Sequence, residues 1–355
     1  MRCQGFRIGA DELPASVEPE HGVRAIPVPV PQPEGVDFTW CYAIDDSDGG
    51  IHLVDPGWRS DDNLRHLARE LARTGRALEE VRSITITHQH ADHLGLADAI
   101  REQTGAHVIM HGDEAAALDG AASRRWDVDL LSERMRAWEV PSGDADHILR
   151  VLGRRSRPEA LVPDQIVRDG DRLPVPGRVI EVVWTPGHTP GHICLADRAK
   201  GFVITGDHVL SHSNPGIGLG GTTARNALTD YLWSLLRVSE RGERGLPGHE
   251  QFIPDLAARA RRILRHHLTR TATVSSARAA GARSVWATAA ALTWSGGWDS
   301  LSPYRRYSAL NQIEMHLEAQ RSGDVVRQEH GWKVARSALE EAPPEGQASS
   351  RSKPV

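Results

Sequence analysis

Short apolar runs of strand length dominate the first part of the chain. The runs RAIPVPV (24–30), FTWCYAI (38–44) and IHLVDPG (51–57) are separated by turns rich in Pro, Gly and Asp. Such runs between turn signals are typical of β-strands. Leucine and alanine then recur at helical spacing over residues 64–71, and Gly75 follows as a stop signal. The pattern predicts three consecutive strands and a helix.

Strand and helix patterns continue to alternate further along the chain. The β-branched run SITIT (83–87) predicts a buried strand that ends directly at His88, so that the residues after it lie on a loop. A helix is expected near 96–103, a strand near 107–111 and an amphipathic helix over 228–236. Four more strands are expected over residues 165–168, 179–184, 192–196 and 202–205. This alternation predicts a layered α/β fold in which the later strands form a second sheet.

Residues 112–163 interrupt the alternation with a helical and irregular pattern. Its apolar anchors are Trp126, Leu130, Leu131, Met135 and Trp138. One interpretation is an inserted lid that faces a substrate. The other is a helix pair that closes the core, because apolar residues at helical spacing commonly serve packing alone.

The pattern changes again after Ile253. An Arg-rich helix follows, and two more helices and a β-ribbon are expected over residues 284–293, 304–320 and 324–334. Two helices and a two-stranded wing form a winged-helix-like outline. Single cores stop growing at roughly 250 to 300 residues, so a chain of 355 residues has room for a second, smaller unit.

We therefore expect three parts along the chain. Residues 1–270 form the α/β domain, with the 112–163 segment inserted into it, and residues 271–341 form the winged-helix-like module. The tail over 342–355 is rich in Pro, Ser and Glu, has little apolar surface to bury and is expected to be disordered.

Composition narrows the class of protein. Hydrophobic residues make up 39% and charged residues 25% of the chain, as in ordinary globular proteins. The first residues contain no secretory signal pattern and no later run has the length of a membrane span, so a cytoplasmic location is expected. The three cysteines, Cys3, Cys41 and Cys194, are too scattered for a disulfide framework and are expected to be buried or incidental thiols.

The histidines carry the chemical signal. The segment THQHADHLG (87–95) places His88, His90, Asp92 and His93 within six positions. Imidazole and carboxylate are ligands for zinc, iron and manganese, and no packing requirement accounts for such a cluster. His188, Asp207 and His249 each follow a strand-like run and a glycine, which permits a sharp turn beside a site.

Five stretches in this order resemble the metallo-β-lactamase superfamily: LVDPG (53–57), THQHADHLG (87–95), TPGHTPGH (185–192), TGDHVL (205–210) and LPGHE (246–250). The resemblance covers about residues 24–270. It implies a four-layer αβ/βα sandwich, here with a helical, winged-helix-like C-terminal module. It also implies that the α/β domain is the catalytic one.

The resemblance further implies two divalent metal ions held by seven residues: His88, His90, Asp92, His93, His188, Asp207 and His249. His88, His90 and His188 would bind the first ion. Asp92, His93 and His249 would bind the second, and Asp207 would bridge the two. Asp92 and Asp207 are the catalytic candidates. Asp55, His192 and His208 are expected to support the ligands without binding metal.

A bridging Asp207 resembles the hydrolase branches of glyoxalase II and acyl thioesterases and differs from secreted β-lactamases. The implied activity is hydrolysis of an acyl thioester, ester or lactone by a metal-bound hydroxide, on a small molecule linked to coenzyme A or to an acyl carrier. No GxSxG motif offers a serine nucleophile instead. The 112–163 insertion and the C-terminal module differ from a minimal glyoxalase II and leave the substrate open.

Two alternatives remain at this point. Zinc is the favoured metal, but the same ligands suit iron, and a diiron site would favour an oxygenase or hydroxylase. A nuclease is the other alternative, with positive charge from Arg305, Arg306, Arg321 and Arg327. The net charge of −5 and the neighbouring glutamates argue against nucleic acid.

Tryptophans in the C-terminal module are compatible with packing on the α/β domain or with a homodimer. The glycine-rich run 216–221 is either a substrate-facing loop or a plain connection.

Overall fold

A computed structural model describes residues 13–31, 36–118, 127–153, 161–220, 226–329, 331–335 and 337–338. Trp126, Cys3, Gly221 and the 342–355 tail lie outside these residues. No helix in the described ranges combines the length and the apolar character that a membrane span requires.

The first sheet has seven strands that are neighbours in chain order. They are β1 (Val17–Glu20), β2 (Val23–Pro29), β3 (Phe38–Asp45), β4 (Ile51–Val54), β5 (Val81–Thr85), β6 (His107–His111) and β7 (Gln165–Val167). β1 to β4 pair in antiparallel fashion, whereas β4 to β7 are parallel. The parallel strands β4 to β7 therefore end at one common edge of the sheet. Parallel neighbours need a crossover connection, and helices lie in these crossovers here.

Six helices lie between these strands. They are α1 (Asp61–Ala72), α2 (Ala91–Leu94), α3 (Ala97–Thr104), α4 (Gly112–Leu118), α5 (Val128–Ala137) and α6 (Ser142–Leu152), with a 3₁₀ turn at Leu78–Glu80. The α1 helix begins where the Ser60 side chain accepts a hydrogen bond from the Asn63 N–H, and two aspartates in its first turn complement the helix dipole. The α3 helix ends at Gly105, whose φ of 73° suits glycine.

The second sheet has four strands in the order β11-β10-β9-β8. They are β8 (Glu181–Trp184), β9 (Ile193–Asp197), β10 (Phe202–Gly206) and β11 (Arg244–Pro247). α7 (Ala227–Val238) connects β10 to its parallel neighbour β11. β8 and β10 both run antiparallel to β9, so β8, β10 and β11 end at the same edge.

The apolar side chains divide into layers that match a four-layer sandwich. On β3, Cys41 and Ala43 pack towards α1 and α3. Trp40, Tyr42 and Ile44 point to the other face and pack against the second sheet. Both faces of β3 are buried, which explains why its sequence is a continuous apolar run with no polar alternation. α7 and the start of α8 (Leu256–Ala279) cover the outer face of the second sheet.

The C-terminal part consists of α8, α9 (Val285–Ala290), α10 (Pro303–Arg321) and an antiparallel ribbon of β12 (Val325–Gln328) and β13 (Gly331–Val334), with a 3₁₀ turn at Trp298–Ser300. The predicted α/β sandwich with a helical C-terminal module is confirmed. Residue 270, the expected division, lies inside the continuous helix α8. Met315 and Val325 pack in the same cluster as residues of the second sheet.

The inserted segment packs on this C-terminal part. Leu131 and Met135 of α5 and Ile148 of α6 share a cluster with Leu310 and Ile313 of α10. The cysteines that the structure describes, Cys41 and Cys194, are free and buried, as the sequence predicted.

Among the strands and α-helices, β1 and α2 were not predicted from the sequence pattern, and β11 was indicated only by the short run before His249. β1 (VEPE) is a short and polar edge strand, and β11 (RGLP) contains Gly and Pro, which are depleted in strands. α2 holds Asp92 and His93, which the sequence placed on a loop. Its four residues are too few to show a helical period. β5 ends at Thr85 and not at Thr87, because the Thr87 N–H and hydroxyl turn to the Asp55 carboxylate.

Candidate metal centre

The seven predicted ligands converge at the edge where the parallel strands of both sheets end. His88 and His90 lie on the loop after β5, and Asp92 and His93 lie in α2 just beyond it. From the second sheet, His188, Asp207 and His249 follow β8, β10 and β11. Loops at the carboxyl ends of neighbouring parallel strands meet at one place, and so residues more than 150 positions apart become neighbours.

The first group of donors contains His88, His90, His188 and Asp207. His90 Nδ1 lies 2.9 Å from His88 Nε2 and 3.2 Å from His188 Nε2. Asp207 Oδ2 is 4.0 Å from His88 Nε2 and 3.8 Å from His188 Nε2. All four ligand atoms lie within 4.8 Å of one another, a spacing that a single cation can span.

The second group contains Asp92, His93 and His249. His249 Nε2 lies 3.3 Å from His93 Nε2 and 3.3 Å from Asp92 Oδ2. Asp207 also reaches this group, because its Oδ1 is 3.3 Å from His249 Nε2 and 3.5 Å from His93 Nε2. Asp207 therefore presents one carboxylate oxygen to each group, which is the geometry of a bridging ligand.

The outer nitrogens of three imidazoles are held by protein acceptors. His93 Nδ1–H donates to Asp55 Oδ2 at 2.8 Å. His188 Nδ1–H donates to the Gly216 carbonyl, and His249 Nδ1–H donates to the Phe38 carbonyl, both at 2.7 Å. A proton on Nδ1 leaves the Nε2 lone pair free and directed into the site. Metal-binding histidines usually have such an outer partner, which fixes the tautomer and the ring orientation.

Asp55 connects Thr87, the residue before His88, with His93. Both partners lie on the first-sheet side of the site. Asp55 Oδ1 accepts from the Thr87 N–H at 2.8 Å, and its Oδ2 accepts from the Thr87 hydroxyl at 2.6 Å and from His93. The residue has a φ of 53°, a left-handed conformation that aspartate tolerates better than most residues. These contacts match the supporting position that the resemblance implied for Asp55.

The electrostatics of the site favour a positive charge at its centre. Burial lowers the pKa of His249, but Asp207 and Asp92 outweigh it and raise that pKa well above the usual range. Burial and the neighbouring His93 and His90 hold the pKa of His88 well below its usual range, so this imidazole stays neutral. The buried Asp207 Oδ1 has no hydrogen-bond donor among the described residues. Imidazole nitrogens and carboxylate oxygens gathered at one place are a ligand set that fits a metal ion.

His192 and His208, expected to support the site, lie behind the ligands. His192 Nδ1 is 2.8 Å from the Thr185 hydroxyl, and its Nε2 accepts from the Asp207 N–H at 3.2 Å. His208 is buried, and its ring packs 4.9 Å from the ring of Tyr231. His192 therefore positions the backbone of Asp207.

Several contributors were missed in the sequence. The Phe38 and Gly216 carbonyls orient two ligands, but a backbone acceptor leaves no mark on residue type. The carboxylate of Glu114 contacts the backbone of two ligand loops, and no spacing pattern connects it with them. Burial raises the pKa of Glu114, hydrogen bonds from Gln89 and Gly191 oppose this, and the result is a pKa of about 7.

The chain is similar to proteins of known sequence and structure. The family model for the metallo-beta-lactamase superfamily matches residues 35–249. The probable metallo-hydrolase YqjP of Bacillus subtilis is 28% identical over 242 residues, which cover 66% of this chain and 73% of YqjP. The atrochrysone carboxyl ACP thioesterase of Aspergillus fumigatus is 28% identical over 173 residues, which cover 43% of this chain and 52% of that protein.

A solved structure has a similar fold over most of the chain. The metallo-beta-lactamase family protein TTHA1429 of Thermus thermophilus has a TM-score of 0.67 and 27% identity, over 89% of this chain and 99% of that one. Matches to the first three curated relatives span between 34% and 73% of their length. The family model covers more than half of the chain and includes all seven donor residues, so the protein belongs to the metallo-beta-lactamase superfamily.

Proposed function

We propose that this protein is a hydrolase that uses two divalent metal ions to cleave an acyl thioester or a related ester. The observation that carries the proposal is the position of Asp207, whose two oxygens each face a separate group of histidines. A shared carboxylate holds two cations at a short, fixed distance. The name of the Aspergillus relative, an ACP thioesterase, supports the thioester as the substrate class.

Two bound cations would lower the pKa of a water molecule so that it attacks a carbonyl at neutral pH, and would stabilise the negative charge that develops on the carbonyl oxygen. We assign the first ion to His88, His90, His188 and Asp207. We assign the second to Asp92, His93, His249 and Asp207. The favoured metal is zinc, since neutral imidazole and carboxylate are common zinc ligands.

The exposure of the donor side chains indicates the side from which water and substrate would approach the site. His88 and His93 are fully buried, whereas the side chains of Asp92 and Asp207 are 18% and 12% exposed. Burial raises the pKa of Asp207, but His249 and His93 outweigh it and hold that pKa well below its usual range. Burial likewise raises the pKa of Asp92, but His93 and His249 outweigh it and hold that pKa well below its usual range, so both carboxylates are ionised at neutral pH. Each can accept a hydrogen bond from a water molecule on the open side of the site and orient it towards a substrate.

The substrate that we propose is a small acyl group linked to coenzyme A or to an acyl carrier protein. An acyl thioester has a good leaving group and a reactive carbonyl, so hydrolysis requires only an activated water and charge stabilisation. Nothing in the reaction needs a covalent acyl-enzyme, which agrees with the lack of a GxSxG serine motif in the sequence.

Elemental analysis and a substrate panel test the proposal together. The protein is purified without added metal, and zinc, iron and manganese are quantified. The same preparation is then assayed on acyl-CoA thioesters, simple esters and lactones, and for oxygen consumption. We expect about two metal ions per chain, zinc in excess over iron, and thiol release from at least one thioester.

Two results would contradict the proposal. One is a preparation with two iron ions that consumes oxygen and releases no thiol, which would indicate an oxygenase. The other is thioesterase activity that survives complete removal of metal. His147→Ala is a suitable control, because this side chain is exposed on α6 and belongs to neither donor group.

A further inference from the structure

A buried glutamate outside both donor groups connects the two loops that form the first of them. Glu114 lies in the first turn of α4, directly after β6, and has no exposed surface. It is not one of the residues that can offer an oxygen to the metal groups. A fully buried carboxylate is costly unless its oxygens receive hydrogen bonds, so its partners indicate what it does.

The two carboxylate oxygens of Glu114 accept from two different loops. Oε1 accepts from the Gln89 N–H at 2.7 Å, and Gln89 stands between the ligands His88 and His90. Oε2 accepts from the Gly191 N–H at 2.7 Å, three residues after the ligand His188. One loop follows the first sheet and the other follows the second, so the carboxylate bridges the two sheets at the first metal group.

The second loop approaches α4 so closely that only glycine fits there. A Cβ atom at position 191 would lie 2.3 Å from the Glu114 backbone nitrogen and 2.8 Å from Glu114 Cβ. Both distances are far below van der Waals contact. The glycine of the TPGH repeat at 189–192 therefore has a structural partner, and that partner is Glu114.

A third loop joins the same arrangement. The Gln89 side-chain amide donates to the Gly220 carbonyl at 2.8 Å. Gly220 belongs to the glycine-rich run whose Gly216 carbonyl orients His188. Gln89 thus contacts Glu114 through its backbone and the Gly216–Gly220 segment through its side chain.

We propose that Glu114 is a positioning residue that sets the spacing between His88, His90 and His188, and so determines the affinity of the first metal group for its ion. The proposal rests on the metal-binding function proposed above. It assigns Glu114 no contact with the ion or the substrate. Its effect passes through the backbone of Gln89 and Gly191, which lie in the loops that carry the ligand side chains.

The histidines of the second group are oriented by other residues, so Glu114 should affect the first group selectively. His93 is oriented by Asp55, and His249 is oriented by the Phe38 carbonyl. Glu250 holds the neighbouring loop, accepting from the backbone N–H groups of His212 and Ser213. None of these contacts involves Glu114. Loss of the Glu114 bridge should therefore weaken the first group and leave the second nearly unchanged.

Metal titration of the full-length protein tests this. Metal-free wild type, Glu114→Gln and Glu114→Asp are titrated with Co²⁺ by calorimetry and by visible absorption, with a competing chelator for tight sites. The amide of Gln places a donor against a backbone N–H, so one of the two hydrogen bonds is lost. Asp keeps the negative charge but is one methylene shorter and cannot reach both loops. Glu102→Gln on α3 is the matched control, since Glu102 is exposed.

The two binding steps are assigned with His188→Ala, which removes a first-group ligand, and Asp92→Ala, which removes a second-group ligand. In both Glu114 variants we expect the step assigned to the first group to weaken about tenfold or more, as for other residues that orient metal ligands. The second step should change less than about threefold, since the supports of the second group are untouched. The absorption bands of the first bound Co²⁺ should also change, because the angles between its ligands change.

The outcomes separate this proposal from the proposed function. If wild type binds no Co²⁺, the proposed function fails. If wild type binds two ions and folded Glu114 variants bind both with wild-type affinity, only the role of Glu114 is overturned. Equal weakening of both steps would also overturn it, since it would indicate general destabilisation. If Glu114→Gln does not fold, Glu114→Asp decides, and failure of both to fold would assign Glu114 to folding alone.

Discussion

Asp207 is the residue in which the two donor groups meet. Its carboxylate reaches His249 and His93 with one oxygen and His88 and His188 with the other. The Asp207 N–H is itself held by His192. The Asp207 side chain thus has a fixed position, and each of its oxygens faces one donor group. Replacement of one oxygen should therefore affect one donor group more than the other.

Replacement of Asp207 by Asn tests the bridge. The amide keeps the size of the side chain but replaces one negatively charged oxygen by an NH₂ group that cannot bind a cation. We expect the metal content to fall from about two ions to about one, and hydrolytic activity to fall by at least about 100-fold, because activation of water depends on the charge of the metal pair. Elemental analysis and the thioester assay measure both. Unchanged metal content would show that Asp207 does not bridge.

The sequence identified the seven residues that converge in the structure, but it did not give the orientation of their side chains. The spacing in THQHADHLG and the glycines before His188, Asp207 and His249 mark ligand-bearing turns. The acceptors that aim the imidazoles are backbone carbonyls of Phe38 and Gly216, 211 and 28 positions away from their histidines. The Phe38 contact forms only when the two sheets come together, and the Gly216 contact forms only when the loops after β8 and β10 meet, so no local pattern records them.

At the scale of elements, α10 links the inserted helices to the rest of the molecule. On one side it packs against α5 and α6. On the other it packs against α8, where His316 is 1% exposed and its Nδ1 lies 2.9 Å from the Thr271 hydroxyl. His267 of α8 stacks beside it with ring centroids 6.0 Å apart. Buried imidazoles between two helices make this contact sensitive to acid.

The pH dependence of stability tests this contact. Burial, with Arg270 and His266, lowers the pKa of His316 to about 3. The unfolded chain binds a proton near pH 6.5 and the folded chain does not, so stability is full above pH 6.5 and is lost as pH falls below it. At about pH 5 the loss from His316 is about 2 kcal/mol. In wild type, the free energy of unfolding measured with urea should be lower at about pH 5 than at about pH 8. In His316→Gln this difference between the two pH values should be smaller by about 2 kcal/mol.

The control for this experiment is His147→Gln, an exposed histidine on α6. It should retain the wild-type difference between the two pH values. Because the histidines of the candidate metal centre also titrate, each protein is compared with wild type under the same metal loading. A difference that persists in full in His316→Gln would show that this buried histidine does not account for the acid sensitivity.

Trp138, at the C-terminal end of α5, contacts α10. It is 1% exposed, its indole N–H donates to Glu314 Oε1 at 2.8 Å, and Arg134 lies 4.5 Å above its ring. Trp138→Ala removes this packing and the hydrogen bond to Glu314 Oε1, so the free energy of unfolding should fall by about 3–5 kcal/mol. Leu130→Ala, at a 37% exposed position of the same helix, should change it by less than about 0.5 kcal/mol. Urea unfolding that gives similar values for both variants would contradict this packing.

Element prediction from the sequence succeeded where burial is continuous and failed where it is not. β3 and β10 are buried on both faces and appear as mainly apolar runs. β1 is polar and lies at the sheet edge, and β11 contains Gly and Pro. β1 and β11 form because each pairs with a more apolar neighbouring strand. Their strand structure therefore depends on the sheet and not on their own residues.

The whole molecule is organised around the edge at which its two sheets meet. The first sheet and α2 supply His88, His90, Asp92 and His93, and the second supplies His188, Asp207 and His249. Between the sheets, the apolar cluster that includes Trp40, Tyr42 and Trp184 holds the two halves together below the site. At the site itself, the halves are joined mainly through polar groups, several of them imidazole nitrogens that face each other at about hydrogen-bond distance.

Removal of metal should therefore loosen the contact between the sheets as well as abolish hydrolysis. A ligand at about 100 times its dissociation constant stabilises a protein by about 2.7 kcal/mol, so two such ions contribute about 5 kcal/mol. For a chain of this size, this corresponds to a rise in Tm of roughly 10 °C. Calorimetry of the protein with and without chelator should show that difference, and readdition of zinc should restore it. His188→Ala and Asp92→Ala should each lose about half of it, because each retains one donor group. If chelation left the Tm of wild type unchanged while removing bound metal, the ions would not connect the two sheets, and the site would have to be fully formed by protein contacts alone.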